Sequence, residues 1–132
     1  MQKVNLTNEI FELSCPYSNP YQGNDKKLLF VCSAGLLRSA TAANLFAKKG
    51  FNTRNCGTHE YALIPLSANL IYWADQIYFV NESNLRQAIL TFKEYGHLLD
   101  MIEKKSITLD IPDQFPYNHP ELVRILEEKI KP

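Results

Sequence analysis

Cysteine is scarce in this chain of 132 residues: there are three, an odd number. That argues against a disulfide framework and for a reducing compartment, so the cytoplasm is the expected location. Neither sign of charge is in excess. Fourteen Lys and Arg balance fourteen Asp and Glu, and no basic block stands out, so nucleic acid is not an expected partner. No apolar run approaches the roughly 20 residues of a membrane-spanning helix, and no membrane partner is expected. The opening MQKVNLTNEIFELSC carries acidic residues and lacks a signal-peptide core. The cysteines and histidines show no metal-ligand spacing, so no metal is expected, and no other cofactor is implied. Internal repeats and low-complexity segments are missing as well.

What is present suits one domain of ordinary size, with 45% hydrophobic residues. Such a chain buries about two-thirds of its unfolded surface and needs no staples. Residues 1–27 read as an N-terminal extension packed on the domain, ending in a turn-rich stretch from Cys15 to Asn24. The domain proper is expected over 28–132. Its first strand is the continuous apolar run from Leu28 to Cys32, of the kind buried on both faces. A helix from about Ser39 to Lys49 follows, with Ala42, Ala43, Phe46 and Ala47 on its apolar side and Gly50 closing it. Residues 51–57 make a short second strand. Leu66–Ala74 reads as a short helix with Ser67 as cap, and Gln76–Val80 as the third strand. The next helix, capped by Asn81 or Ser83, is expected to run to about Tyr95 and end at Gly96, with Leu85, Ala88, Ile89 and Phe92 at core spacing. Residues 97–103 form at most a further helical turn. Ser106–Leu109 is the fourth strand. A loop from Asp110 to Asn118 leads to a final helix, capped by Asn118 or His119, whose stripe is Leu122, Ile125, Leu126 and Ile130. Strands alternating with helices predict an α/β fold: a four-stranded parallel sheet with right-handed crossovers and helices on both faces. Ligands in such sheets lie beyond the carboxyl ends of the strands.

One stretch at that edge carries chemistry. LLFVCSAGLLRSATAANLFAKKG, residues 28–50, puts Cys32 at the end of a buried strand and Arg38 at the start of a helix. The loop between them, Ser33, Ala34, Gly35, Leu36 and Leu37, can turn its N–H groups inward toward the helix N-terminus, which makes a cradle for a tetrahedral oxyanion. Helix dipole and guanidinium both favour negative charge on sulfur. The bare spacing is weak: three cysteines and four arginines produce it by accident in about one chain in ten. A buried, inert cysteine in a strand-to-helix turn is the ordinary alternative.

A thiolate beside such a cradle suits in-line phosphoryl transfer to sulfur. That reaction needs an ionised thiol, donors for the equatorial oxygens and a carboxylic acid opposite to protonate the leaving oxygen. Asp110 and Asp113 both follow the fourth strand. Asp113 is the better placed, further into a loop stiffened by Pro112 and Pro116; both could equally be plain turn aspartates.

These residues carry a resemblance. LLFVCSAGLLRSATAANLF, NCGT at 55–58, ADQIYFVNESNLR at 74–86 and LDIPDQFPYNHPELV at 109–123 together resemble the low-molecular-weight protein tyrosine phosphatase superfamily, in particular a compact bacterial and phage branch. The resemblance implies a three-layer α/β/α, phosphotyrosine phosphatase I-like fold and hydrolysis of a phosphate monoester through a cysteinyl-phosphate. The partner implied is a phosphorylated protein or a small phosphate ester. By position, Cys32 is the nucleophile, Arg38 the phosphate clamp, Ser39 a support for loop and thiolate, and Asp113 the general acid. Phe115 and Tyr117 are implied to line the entrance. The sequence departs from the family pattern at Gly35 (usually Asn), Leu37 (often Cys), Ala40 (usually Pro) and Gln114 (usually Pro), and the region after Thr58 is short. Two other functions stay open on the sequence: a non-enzymatic phospho-ligand binder, and a thiol-dependent arsenate reductase, for which Cys15 and Cys56 are the only possible relay cysteines. His59 could touch the site, His97 and His119 read as surface or cap residues, and Cys56 and Trp73 as core.

Overall fold

The computed structural model describes residues 26–35 and 37–132. Four strands, β1 (Lys27–Cys32), β2 (Asn52–Gly57), β3 (Gln76–Phe79) and β4 (Ser106–Thr108), form one sheet in the order β2-β1-β3-β4. All three pairings are parallel. The five helices are α1 (Arg38–Lys48), α2 (Ala68–Trp73), α3 (Glu82–Thr91), α4 (Gly96–Lys105) and α5 (Pro120–Lys129).

Strand periodicity sorts the core into two halves. Leu28, Phe30, Cys32, Tyr78 and Val80 face α1 and α5, where Ala42, Ala43, Phe46, Leu122 and Leu126 meet them. Leu29, Val31, Cys56, Ile77 and Phe79 face α2, α3 and α4, against Leu70, Ile71, Ala88, Leu98 and Ile102. The alanines of α1 keep that helix close to the sheet. Phe30 stacks on Phe46 at 5.9 Å and on Tyr78 at 5.3 Å between ring centres. Trp73 is core, with the Arg54 guanidinium 5.0 Å from its ring centre. The layers are therefore α/β/α, with β1 central and Cys32 at its carboxyl end.

Several boundaries differ from expectation. Gly96 does not end a helix; α3 stops at Thr91 and Gly96 opens α4, a full helix rather than a single turn. Phe92 supplies the stop by leaving helical backbone, and Tyr95 N–H folds back to its carbonyl at 2.9 Å. Ile89 is not core but 41% exposed, because the sheet is covered there by Ala88 and partly by Leu85. Lys26 and Lys27 belong to the domain: Asn52 N–H donates to Lys26 O and Lys27 N–H to Asp75. The rest of the expected extension lies outside the described residues. Ser67 caps α2 through Leu70 N–H, and His119 caps α5 through Glu121 N–H with Pro120 in the first turn.

Candidate active site

Cys32 is 4% exposed, and its sulfur is surrounded by donors. Gly35 N–H donates to Sγ at 3.1 Å, and Ser39 Oγ lies 3.0 Å from it. With the sulfur ionised, Ser39 is the donor in that second contact. The loop is also anchored from behind. Thr58 N–H donates to Cys32 O and His59 N–H to Ser33 O, each at 2.9 Å, and Asn55 Nδ2 donates to Gly35 O at 2.5 Å. In a trans peptide the N–H points opposite to the C=O. Fixing these carbonyls against β2 and its following segment therefore turns the Ser33 and Ala34 amides to the other side. Positive charge thus converges where α1 begins, as an anion site at a helix N-terminus requires.

Gly35 is needed in this turn. Its φ is +78°, and a Cβ there would stand 3.0 Å from the carbonyl carbon of Cys56. The expectation that glycine can replace asparagine in the loop rests on this freedom. Gly35 brings no side-chain hydrogen bonds of its own, and the loop takes one from β2 instead, through Asn55 to Gly35 O.

Arg38 is the first residue of α1 and is buried. Nη1 donates to Ile111 O at 2.8 Å, and Nε lies 3.7 Å from Asp113 Oδ1. Ile111 is itself tied to the end of β3 by its N–H to Val80 O at 2.9 Å. The segment carrying Asp113 therefore crosses the mouth of the cradle on a fixed base, while the Asp113 side chain is 72% exposed. Asp110 sits apart at φ +60°, exposed, at the bend that releases the chain from the sheet.

The structure thus brings Cys32, Ser33, Ala34, Gly35, Arg38, Ser39 and Asp113 to one sheet edge. Leu37 is the residue before α1, exposed on the rim, and Leu36 lies outside the described residues. Phe115 does not line the entrance. It is buried with Leu109, Ile111 and Leu122, its ring 5.5 Å from His119, because an apolar ring on a segment pinned to β3 gains more from that cluster than from water. Tyr117 is half-buried in the same segment.

Three residues beside the loop escaped the sequence reading. Asn84, buried at the start of α3, donates to Ser33 Oγ at 3.2 Å and Thr58 Oγ1 at 3.3 Å. Asn55 lies in a strand buried along its whole length, where a polar side chain must find a partner. Cys56 is the only apolar side chain of that strand, so its buried polar residues were the available signal. Tyr61 is 82% exposed in the turn that packs beside the loop; its N–H donates to His59 Nδ1 at 3.1 Å, and the two rings lie 5.1 Å apart. His97 is on the surface beside Tyr72. Among the described residues no group of His, Cys, Asp and Glu could hold a metal, and no helix is long and apolar enough to cross a membrane.

No protein-family profile and no curated protein matches the sequence. Solved structures do. The YwlE arginine phosphatase of Geobacillus stearothermophilus is 20% identical, with 78% of this chain and 84% of that one covered at a TM-score of 0.56. The tyrosine phosphatase Wzb of Escherichia coli K30, in complex with phosphate, is 14% identical over 79% and 92% at 0.58. A low molecular weight protein tyrosine phosphatase of Bacillus subtilis is 18% identical over 78% and 86% at 0.55. At these identities the likeness is one of architecture, and this chain has the fold of the low-molecular-weight tyrosine phosphatases.

Proposed function

We propose that the protein is a phosphomonoesterase working through a cysteinyl-phosphate, with phosphotyrosine or another aryl phosphate as substrate. The observation that carries this reading is the donor set converging on Cys32 Sγ, with buried Arg38 opening the next helix and Asp113 3.7 Å from its Nε. The thiolate attacks phosphorus as the bond from phosphorus to the leaving oxygen breaks. Loop amides and Arg38 hold the equatorial oxygens, and Asp113 gives its proton to the leaving oxygen. Asp113, now a carboxylate, takes a proton from water. That water attacks phosphorus, the S–P bond breaks and inorganic phosphate leaves with Cys32 restored as thiolate. The partner is a phosphorylated protein or a small phosphate ester, and the compartment is the cytoplasm, in keeping with free, buried Cys32 and Cys56.

The arsenate-reductase alternative requires a cysteine that can reach Cys32. Cys56 pairs in register with Val31 and belongs to the opposite half of the core, which weighs against it; Cys15 lies outside the described residues. The binder alternative differs from the enzyme only in turnover. Incubation with p-nitrophenyl phosphate decides: release of phosphate by the wild type and none by Cys32→Ser is expected, and turnover that survives Cys32→Ser would overturn the mechanism.

A further inference from the structure

The Asp113 segment, whose Phe115 is buried in the core, is also held at each end by a hydrogen bond to α1. The first is the contact of Arg38 with Ile111 O already described. The second is Thr41, one turn further along the same helix face. Thr41 is fully buried. Its Oγ1–H donates to Leu37 O at 2.8 Å, and the same Oγ1 accepts the N–H of Asn118 at 2.8 Å. Leu37 closes the anion loop, and Asn118, at φ +63°, closes the acid segment before α5. One hydroxyl therefore joins the last residue of the cradle to the far end of the segment that carries the acid. Only residues 112–117 lie between these two bonds.

We propose that Thr41 is a positioning residue for the proton donor: it sets the reach of Asp113 over the cradle by fixing Asn118 to the loop. This rests on the phosphatase reading above. A hydroxyl is required because the position must donate to one carbonyl and accept one amide at once. Valine has the same shape and can do neither, and it leaves the Asn118 N–H without an acceptor. Serine keeps both bonds.

The leaving group separates this role from general support. Phenolate, with a conjugate-acid pKa of about 10 like the tyrosine side chain, needs the proton in the transition state; p-nitrophenolate, a much weaker base, hardly does. The value of kcat/KM covers the step in which that bond breaks. Thr41→Val should lower kcat/KM about tenfold or more on phenyl phosphate and less than about threefold on p-nitrophenyl phosphate, within the range that general acids supply. Inhibition by inorganic phosphate should stay within about twofold, and Thr41→Ser should restore phenyl phosphate hydrolysis. Should the valine variant fail to fold, Thr41→Ala, which leaves room for a water, should give the same discrimination between the esters. Equal losses on both esters, or weaker phosphate inhibition in step with the loss, would overturn the inference and leave the phosphatase reading standing. Absence of turnover by the wild type would overturn both.

Discussion

Two cysteines sit on neighbouring strands, one register step apart, and their surroundings make opposite groups of them. Cys32 pairs with Gly57, and Cys56 with Val31. Both are buried, Cys56 completely. Cys32 meets an amide, a hydroxyl and a helix N-terminus that carries an arginine. Cys56 points to the other face, among Val31, Leu70, Ile71 and Phe79. Burial pushes its thiol well above the ordinary range, and the nearby charge of Cys32 adds in the same direction. Burial alone therefore does not make a nucleophile. What distinguishes the two is whether polar groups are aimed at the sulfur, and that is decided by which side of the pleat each residue occupies.

The sharpest way to break the comparison is to remove each sulfur. Cys32→Ser should abolish hydrolysis of aryl phosphates, since a hydroxyl in the same place has no comparable anion to offer. Cys56→Ala should leave kcat/KM within about threefold and lower stability by about 1 kcal/mol, as loss of a small buried group does. Steady-state kinetics and urea unfolding check both. A comparable loss of activity in the two variants would mean that Cys56 has a part in the chemistry.

The backbone behind Cys56 is another matter, because it props the loop that holds Cys32. Gly57 is the residue to test. A Cβ there would lie 2.4 Å from Ser33 O and 2.8 Å from the carbonyl carbon of Ala34, with Ala62 Cβ at 2.7 Å. None of these is a flexible chain end, so the loop itself must move. Gly57→Ala should cost about 1–3 kcal/mol in stability and weaken phosphate inhibition at least tenfold, as a displaced cradle implies. Wild-type phosphate affinity in that variant would show that β2 does not set the cradle.

Asp113→Asn acts on the other side of the mouth. It should lower kcat/KM for phenyl phosphate about a hundredfold while phosphate inhibition is kept or slightly improved, because a neutral amide replaces a carboxylate beside Arg38. Equal kcat/KM for the variant and the wild type on that ester would assign the acid elsewhere, with Asp110 the next residue to replace.

Much of this was legible beforehand, and the reasons are local. Leu28–Val31 is apolar at every position, which fits a central parallel strand covered on both sides. Pro120 and His119 announce the start of α5, and Ser67 that of α2. The ends of α3 and α4 were not legible, because Gly96 by itself reads as a helix stop, and only packing of Leu98 and Ile102 onto the sheet overrides that signal. Cys32, Arg38 and Asp113 could be named as candidates because the chemistry considered demands those residue types, and the fold brings them to one sheet edge. Asn55, Asn84 and Thr41 could not, because their work is to hold other backbone in place. Such partners are set by tertiary neighbours up to 77 positions away. Phe115 failed for the complementary reason: an aromatic beside the acid reads as a wall, and only the three-dimensional course of the segment shows that its ring turns inward.

The smallest expected effect concerns pH. A thiol whose folded pKa is raised stays protonated in the native state while its unfolded counterpart ionises, so the unfolded chain loses protons that the folded one keeps. Stability from this source is complete below the ordinary thiol value of 9.0 for Cys56 and is lost as pH rises above it toward the folded value. Tyr78, raised from 10.0 by burial, adds a slope of the same sign at slightly higher pH. Unfolding free energy should therefore fall as pH rises above about 9, by up to about 1.4 kcal/mol per pH unit for each proton involved. In Cys56→Ala the part of that slope nearest pH 9 should vanish while the Tyr78 part remains. Cys32→Ser should instead leave the slope in place and shift its upper end slightly downward, because the neighbouring negative charge that helps to raise the Cys56 pKa is gone. Urea titrations at several pH values separate the two variants. An unchanged slope in Cys56→Ala would mean that Cys56 ionises as readily in the folded chain as in the unfolded one, and that burial on that face of the sheet does not hold its proton.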